Sequence, residues 1–377
     1  MNSKDRVDAA VNNRRPDRIP VHEDFWSETP DVWKSQGLPE RIEYFAPENP
    51  DEKLDNWIDS FFNFDIAVMF LDASPRLPQK ILSRDGEWYT YKDRWGYTAR
   101  KLFGKSGTIE YVETYTKSPG DWEKLAPRFT LNPDDTARID DRNYFEHFTP
   151  YPSWPDARRK FERLQKANRY ILFKDYGPWE GLWRHREFTR SLMDLATDPG
   201  WLKEMALTHH NLRRDILEKN LKEGMKPDGF FLVDDLGSSQ GPLISPAMFR
   251  EIFKPLYSDL GTWLAENGIT FWLHTCGNTE MFFEDYIECG VRVINPMQVS
   301  AGLDAVTLKE KYGNHLAFYG NVDAHLLDSN PAALEEEIRR RMDVFRDGGW
   351  IYHSDHSIPP TMDYKVFCRM MEILRNE

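Results

Sequence analysis

Along the chain, short runs rich in apolar and β-branched residues recur. Each turns polar at its end, and longer stretches with helical spacing separate them. Five such runs fill the second half: GFFLVDD (229–235), ITFWLHT (269–275), VRVINPM (291–297), HLAFYGNV (315–322) and WIYHSDH (350–356). Around them, Asp198 then Pro199 and Ser245 then Pro246 read as N-cap and first-turn pairs, while Gly224 and Gly268 sit where helices stop. Alternating β and α units predict a parallel sheet. Three runs upstream, RIPVHED (18–24), FDIAVMFLD (64–72) and YILFKDYG (170–177), bring the number of strands to eight. That pattern predicts a (β/α)8 TIM barrel.

The second and third of these strands are separated by residues 73–169, far more than a simple crossover needs. Within that gap GEWYTYKDRWGYTARKLFG and TIEYVETYT alternate apolar and polar residues around glycines. They predict an antiparallel hairpin, residues 82–117, inserted between strands 2 and 3 over one mouth of the barrel. Neither an internal repeat nor a low-complexity linker interrupts the pattern, so a single barrel domain over 1–377 with one insertion is expected.

Composition narrows the function classes. The chain has 377 residues, 40% of them hydrophobic, enough for one large core. No apolar run approaches the roughly 18 to 20 residues of a membrane helix, and MNSKDRVDAAVNNRRPDR is too polar for a secretory signal, so a cytoplasmic protein without membrane contact is expected. A formal charge of −13 argues against a phosphate-backbone partner, and no basic stripe for nucleic acid is visible. Cys276, Cys289 and Cys368 are too few and too scattered for a disulfide framework. Many of the 13 tryptophans fall near strand ends and loops, Trp26 and Trp179 among them, which suits an aromatic-walled pocket and equally suits core packing.

In such a barrel the chemistry sits at the C-terminal ends of the strands. The polar residues that close the runs are therefore the candidates: Glu23, Asp72, Asp175, Asp234, Asp235, His274, Cys276, Asn295, Asn321, His353 and His356. His274 and Cys276 are two apart on one strand, so their side chains share a face and can bind one ion together, while Gly277 lets the backbone turn without blocking them. An imidazole with a thiolate favours Zn²⁺. A core histidine beside an inert thiol fits the same two residues.

HTCGN, the preceding ISPAMFREIFKPLY, the acids of LVDDLGSSQGPLISP, FYGNVD and the closing GGWIYHSDHSIPP together resemble the uroporphyrinogen decarboxylase superfamily, from about RPDRIPV to the C-terminus. The resemblance implies a (β/α)8 barrel. Within the superfamily, H-x-C is similar to the zinc motif of the corrinoid-dependent methyltransferases. It implies a zinc site of His274, Cys276 and a third ligand from the last-strand segment, His356, with His353 as its rival and Asp355 as an orienting group. Asp72, Asp235, Glu23 and His356 are the candidate catalytic groups, and Trp26, Trp179, Arg184 and Asn321 the candidate substrate contacts.

Methyl transfer so implied runs either from methylcobamide to a zinc-held thiol or from a methoxy substrate to a reduced corrinoid. The corrinoid would arrive on a partner protein, because DAHLLD (323–328) lacks the glycine of the D-x-H-x-x-G cobalamin motif. Small-molecule methyl donors or acceptors and a corrinoid protein are the expected partners. The comparison with true decarboxylases is weaker. Asp72 falls on their essential aspartate, but PVHEDFWSET offers acids and aromatics where they carry an arginine pair. A decarboxylase-like lyase and a non-catalytic tetrapyrrole-binding barrel are the rival readings.

Overall fold

The computed structural model describes residues 1–39, 61–102, 105, 107, 109–132, 136–139 and 151–376. Its strands, in chain order, are β1 (Ile66–Phe70), β2 (Lys80–Asp85), β3 (Trp88–Lys92), β4 (Thr98–Leu102), β5 (Glu110–Glu113), β6 (Tyr170–Tyr176), β7 (Gly229–Val233), β8 (Gly237–Ser238), β9 (Gly241–Pro242), β10 (Thr270–His274), β11 (Val291–Asn295), β12 (Ala317–Tyr319) and β13 (Trp350–Ile351). Seven of them form one curled parallel sheet in the order β1-β6-β7-β10-β11-β12-β13. Helices connect successive members, among them Pro199–Lys222 before β7 and Lys254–Glu266 before β10. Ser245 caps its helix by accepting from Met248 N–H at 3.2 Å, whereas Asp198 makes no side-chain cap bond.

The eighth strand expected at 18–24 is reduced to a short bridge. Tyr352 N–H donates to Pro20 O at 2.9 Å, His22 N–H to Tyr352 O at 3.2 Å, and Asp65 N–H to Val21 O at 2.8 Å. This segment therefore links the two edges of the sheet, in the manner of a TIM-like barrel. It stays short because Pro20 has no N–H to donate to a ladder.

Side chains alternate across each strand, and the inward set forms its own cluster: Ile66, Tyr170, Leu172, Phe231, Trp272, Val293, Ala317, Tyr319 and Ile351. Val7, Ala10 and Val11 of the first helix (Ser3–Val11) complete that cluster at the N-terminal end of the strands. The outward set packs on the helices in a second, larger core. The C-terminal ends, where His274 and Asn295 close β10 and β11, are left for polar residues.

Between β1 and β6 lies a four-stranded antiparallel sheet, β2-β3-β4-β5, larger than the hairpin expected there. Residues 103, 104, 106 and 108 of that region lie outside the described ones. Trp95 of its β3–β4 turn stacks on His209 at 5.6 Å, and Tyr111 of β5 meets Trp183 edge-on at 5.3 Å. The sheet is thereby fastened to the two helices Pro178–Arg186 and Pro199–Lys222. Among the described residues no helix is long and apolar enough to cross a membrane.

Candidate metal centre

Period-two alternation decides which polar residues meet. On β10, Trp272 faces inward, so His274 and Cys276 follow it. On β7, Phe231 faces inward, which places Asp235 on that side and Asp234 on the other. The structure brings Asp235, His274 and Cys276 together, with one donor atom from each within 4.8 Å of the others. Cys276 Sγ lies 3.4 Å from His274 Nε2, which is 3.5 Å from Asp235 Oδ1. Backbone geometry locks the group, since Cys276 N–H donates to Asp235 Oδ1 at 2.8 Å. Gly277, with φ 76°, lets the loop pass so close to Ser238 that a Cβ would sit 2.5 Å from its backbone nitrogen.

The imidazole is held in one tautomer. Asn295 Nδ2 donates to Tyr319 O at 2.8 Å, and since a carbonyl only accepts, Oδ1 must be the atom turned toward His274. His274 Nδ1–H donates to that oxygen, which leaves Nε2 with a bare lone pair facing Cys276. Burial lowers the pKa of His274, against the pull of Asp235. Burial, then Asp235 and Glu180, push the Cys276 thiol well above its usual value, so without a cation it keeps its proton. The His274 and Asp235 side chains are 22% and 35% exposed, open enough for a ligand to reach them.

A second polar group lies inward of β13. His353 Nε2 is 3.3 Å from Glu23 Oε1 and 3.7 Å from Asp24 Oδ2. Burial opposes charge on His353, but the two carboxylates outweigh it and raise the imidazole to about 9. Glu23 is raised to about 7 by its burial, although His353 and Ser354 act against that. His22 and Tyr319 flank the His353 ring at 6.0 and 4.7 Å between centroids.

The remaining candidates serve elsewhere. Asp72 accepts from Arg76 Nε at 2.7 Å, has Arg94 Nε at 3.4 Å, and is held well below the usual carboxylate range by Arg94, Arg76 and Arg138 against its burial. Asp175 faces the helices, 3.3 Å from Arg213. Asp234 does too, accepting from Tyr257 Oη at 2.7 Å and from Glu180 N–H at 2.8 Å. Trp179 is fully buried against Phe188 and Phe253, a core residue where a pocket wall was expected. Asn321 is also fully buried, and its side chain bonds Met297 O, Leu303 O, Ala305 N and Arg341, tying loops together. Arg184 is paired with Glu180 at 2.7 Å and lies 3.8 Å over the Tyr176 ring.

His356 is absent from the donor cluster. Its exposed ring lies 6.0 Å from Trp26, and the third donor beside His274 and Cys276 is Asp235. Asp355 accepts from Val299 N–H at 2.8 Å and Ala324 N–H at 2.9 Å, which commits it to two neighbouring loops rather than to an imidazole. Two residues near the centre escaped the sequence reading. Lys174 points inward from β6, and Glu180, raised to about 8 by burial despite Arg184, feels the charge of Asp235. A lysine inside an otherwise apolar strand run was the available signal for the first.

The model for the family described as uroporphyrinogen decarboxylase (URO-D) matches residues 186–377, just over half of the chain. The chain belongs to that family. The match bears out the resemblance read in the sequence, and it covers β7 to β13 with Asp235, His274, Cys276, Asn295 and His353. Among solved structures, a methyltransferase from Methanosarcina mazei superposes with a TM-score of 0.67, covering 99% of each chain at 15% identity, and so shares the fold from end to end. A B12-independent methionine synthase from Shewanella sp. W3-18-1 has a TM-score of 0.40, 10% identity and coverage of 95% of this chain and 96% of that one. The YdhT protein from Bacillus subtilis has a TM-score of 0.36, 8% identity and coverage of 63% and 69%. No curated protein matches the sequence.

Proposed function

We propose that this member of the family is a zinc-dependent methyltransferase working with a separate corrinoid protein, between a small methoxy, methylated or thiol substrate and the corrinoid. The observation that carries the reading is the donor set of Asp235, His274 and Cys276, with the nitrogen beside the thiol left bare by Asn295. It fits zinc by chemistry and by spacing. Tetrahedral zinc bonds of about 2.0 to 2.3 Å separate neighbouring ligand atoms by about 3.4 to 3.6 Å, and the gaps here are 3.4 and 3.5 Å. Three protein ligands leave one position for substrate.

Zinc held there supplies a Lewis acid, able to keep a bound thiol as thiolate or to stabilise a departing alkoxide, and the corrinoid supplies the centre that exchanges the methyl group. The chain's own residues do the rest. Asn295 fixes the orientation of His274, and Asp235 brings the negative charge that balances a cation while its bond to Cys276 N–H fixes the approach of the thiol. The Glu23–His353 pair is the proton-holding group of the mouth, and Phe231 with Tyr319 makes a wall that excludes water. Trp26 and His356, at the exposed side, are the substrate contacts of this reading.

The decarboxylase reading is disfavoured by Asp72, whose carboxylate is committed to Arg76 and Arg94. The test supplies methylcobalamin with simple thiols, and reduced cobalamin with methoxy compounds, to zinc-loaded protein while following the cobalamin absorbance. Zinc-dependent turnover in one direction is expected. Its absence in both, with free cobalamin and with the native corrinoid protein, overturns the reading.

A further inference from the structure

The inserted segment meets the barrel helices around two imidazoles. His185 lies near the end of the helix Pro178–Arg186 and His209 within Pro199–Lys222, and both are fully buried. From the insertion, Trp95 lies parallel to His209 at 5.6 Å, Trp122 parallel to His185 at 5.4 Å, and Phe129 is 4.4 Å from His209. Thr116 N–H donates to His185 O at 2.8 Å. The β3–β4 turn that carries Trp95 also covers one side of the mouth. Arg94 Nε is 3.4 Å from Asp72, just beyond β1, and Trp95 meets Tyr176 of β6 edge-on at 5.9 Å.

Where the protons sit follows from the partners. His209 Nδ1 has no hydrogen-bond partner among the described residues and faces Gly181, where a Cβ would come within 2.5 Å of it. A buried N–H without an acceptor costs more than a bare lone pair, so His209 carries its proton on Nε2. That N–H donates to His185 Nε2 at 2.9 Å, and His185 in turn carries its proton on Nδ1, which donates to Thr116 Oγ1 at 3.1 Å. The pair is then full. A second proton on His185 would set two N–H groups face to face, and one on His209 would point at Gly181 with no acceptor. Indole faces attract an imidazolium but accept nothing from its in-plane N–H. The geometry points to an acid-released latch: the His185–His209 pair holds the inserted sheet against the β1–β6 side of the mouth, and either ring takes a proton only when that seam parts. This rests on the fold and not on the zinc reading.

The other charged groups of the seam do not supply the missing acceptor. Burial lowers both imidazoles, and the charges that add to it are the cations Arg186, beside His185, and Arg213, beside His209. Arg186 bonds Thr116 O at 3.3 Å and Lys117 O at 3.1 Å, and Glu204 accepts from Trp122 Nε1 at 3.1 Å. Lys117 is paired with Glu113, and Asp121 caps its own helix through Ser118. Asp72 is held well below the usual carboxylate range and stays ionised in mild acid. Asp175, 3.3 Å from Arg213, and Glu180, on Arg184, are raised by burial to about 7 and about 8, so they take up protons in the closed state and oppose release.

Hydrogen exchange on the full-length protein at pH 7.5 and 5.0, corrected for the intrinsic pH dependence of exchange, tests the latch, with peptides of β2 to β4 read against β7 and β10. An imidazole freed by opening titrates near 6.5, so over this range each adds a factor of about 30 to the opening equilibrium, about a thousandfold for both before Asp175 and Glu180 act against it. The wild-type sheet should lose at least about 30-fold of its protection while β7 and β10 keep theirs. His185→Phe and His209→Phe should each remove about one such factor, and the double variant both. Thr116→Val takes the acceptor from His185 Nδ1 and should loosen the sheet by the same factor at both pH values, a test that stands even where a phenylalanine variant does not fold. Wild-type protection of the sheet that ignores pH, or falls equally in β7 and β10, overturns the inference. So does a pH dependence kept whole in the double variant, or a Thr116→Val sheet as protected as the wild type.

Discussion

Asn295 presents its side-chain oxygen to His274 Nδ1 and its amide to the Tyr319 carbonyl, 2.8 Å away. The amide cannot turn round without setting two donors or two acceptors face to face. It therefore fixes both the ring and the tautomer of His274. Asn295→Ala should lower zinc affinity about 10- to 100-fold with little change in fold, and Asn295→Asp, which keeps the acceptor, should lose less. Competition with a chelating dye measures this, and equal affinities in all three proteins would show that the bond orients nothing of consequence.

Cys276 gives a second expectation. Its thiol is pushed up by burial and by Asp235, and His274 is lowered, so at neutral pH the metal-free imidazole is neutral with its proton on Nδ1, and the one proton in the way of a cation is that on sulfur. Zinc must displace it. Calorimetry in buffers of different ionisation enthalpy should report release of about one proton per zinc at pH 7. No release would mean that the thiol is not a ligand.

Uroporphyrinogen should not be decarboxylated. Of the arginines able to grip its carboxylates, Arg76 is spent on Asp72 at 2.7 Å and Arg184 on Glu180 at 2.7 Å. An anaerobic assay should yield no coproporphyrinogen, and its appearance would return Asp72 to the centre of the account.

A buried histidine pair ties the antiparallel sheet to the barrel helices. His185 Nε2 and His209 Nε2 share one hydrogen bond at 2.9 Å, and Thr116, just beyond β5, meets His185 Nδ1 at 3.1 Å. Burial, then Arg186, pushes His185 down to about 3, and burial with His185 and Arg213 lowers His209 as well. A folded value depressed below the unfolded one near 6.5 gives stability that is complete above about pH 6.5 and lost as pH falls toward the folded value. A His185→Phe, His209→Phe double variant should therefore gain on the wild type as pH drops from 6.5 to 5, by on the order of 1.4 kcal/mol per pH unit for each imidazole. The raised acids Glu23, Asp175, Glu180 and Asp234 act in the opposite sense, but they are present in both proteins and cancel in the difference. Urea melts at several pH values measure it, and parallel curves would contradict the assignment.

How much of this was legible beforehand follows from where each residue sits relative to a strand. On β10 the alternation carries Trp272, His274 and Cys276 to one face, and a reader of the sequence can see the pair. Asp235 obeys the same rule through Phe231, but choosing it over Asp234 requires knowing which face is inward, and that is set by register with neighbouring strands. His356 failed for a different reason. β13 ends at Ile351, and beyond it Ser354 bonds Glu23 and the carbonyl of His356, so the turn and not the strand period aims the imidazole. Trp179 and Asn321 show that a residue near a strand end looks the same in sequence whether it faces a ligand or secures a loop. Lys174 lies within an apolar run and not at its end, where the strand-end rule does not point.

Asp235, His274 and Cys276 are proposed to hold one zinc ion. Metal analysis of the purified protein beside His274→Ala, Cys276→Ser, Asp235→Ala and His356→Ala tests it most directly, with a thermal melt to show that each stays folded. About one zinc is expected in the wild type and in His356→Ala, and loss of most of the metal in the other three. Full occupancy in Asp235→Ala together with loss in His356→Ala would restore the site implied by the sequence, and full occupancy in all four would mean that this cluster is no metal centre.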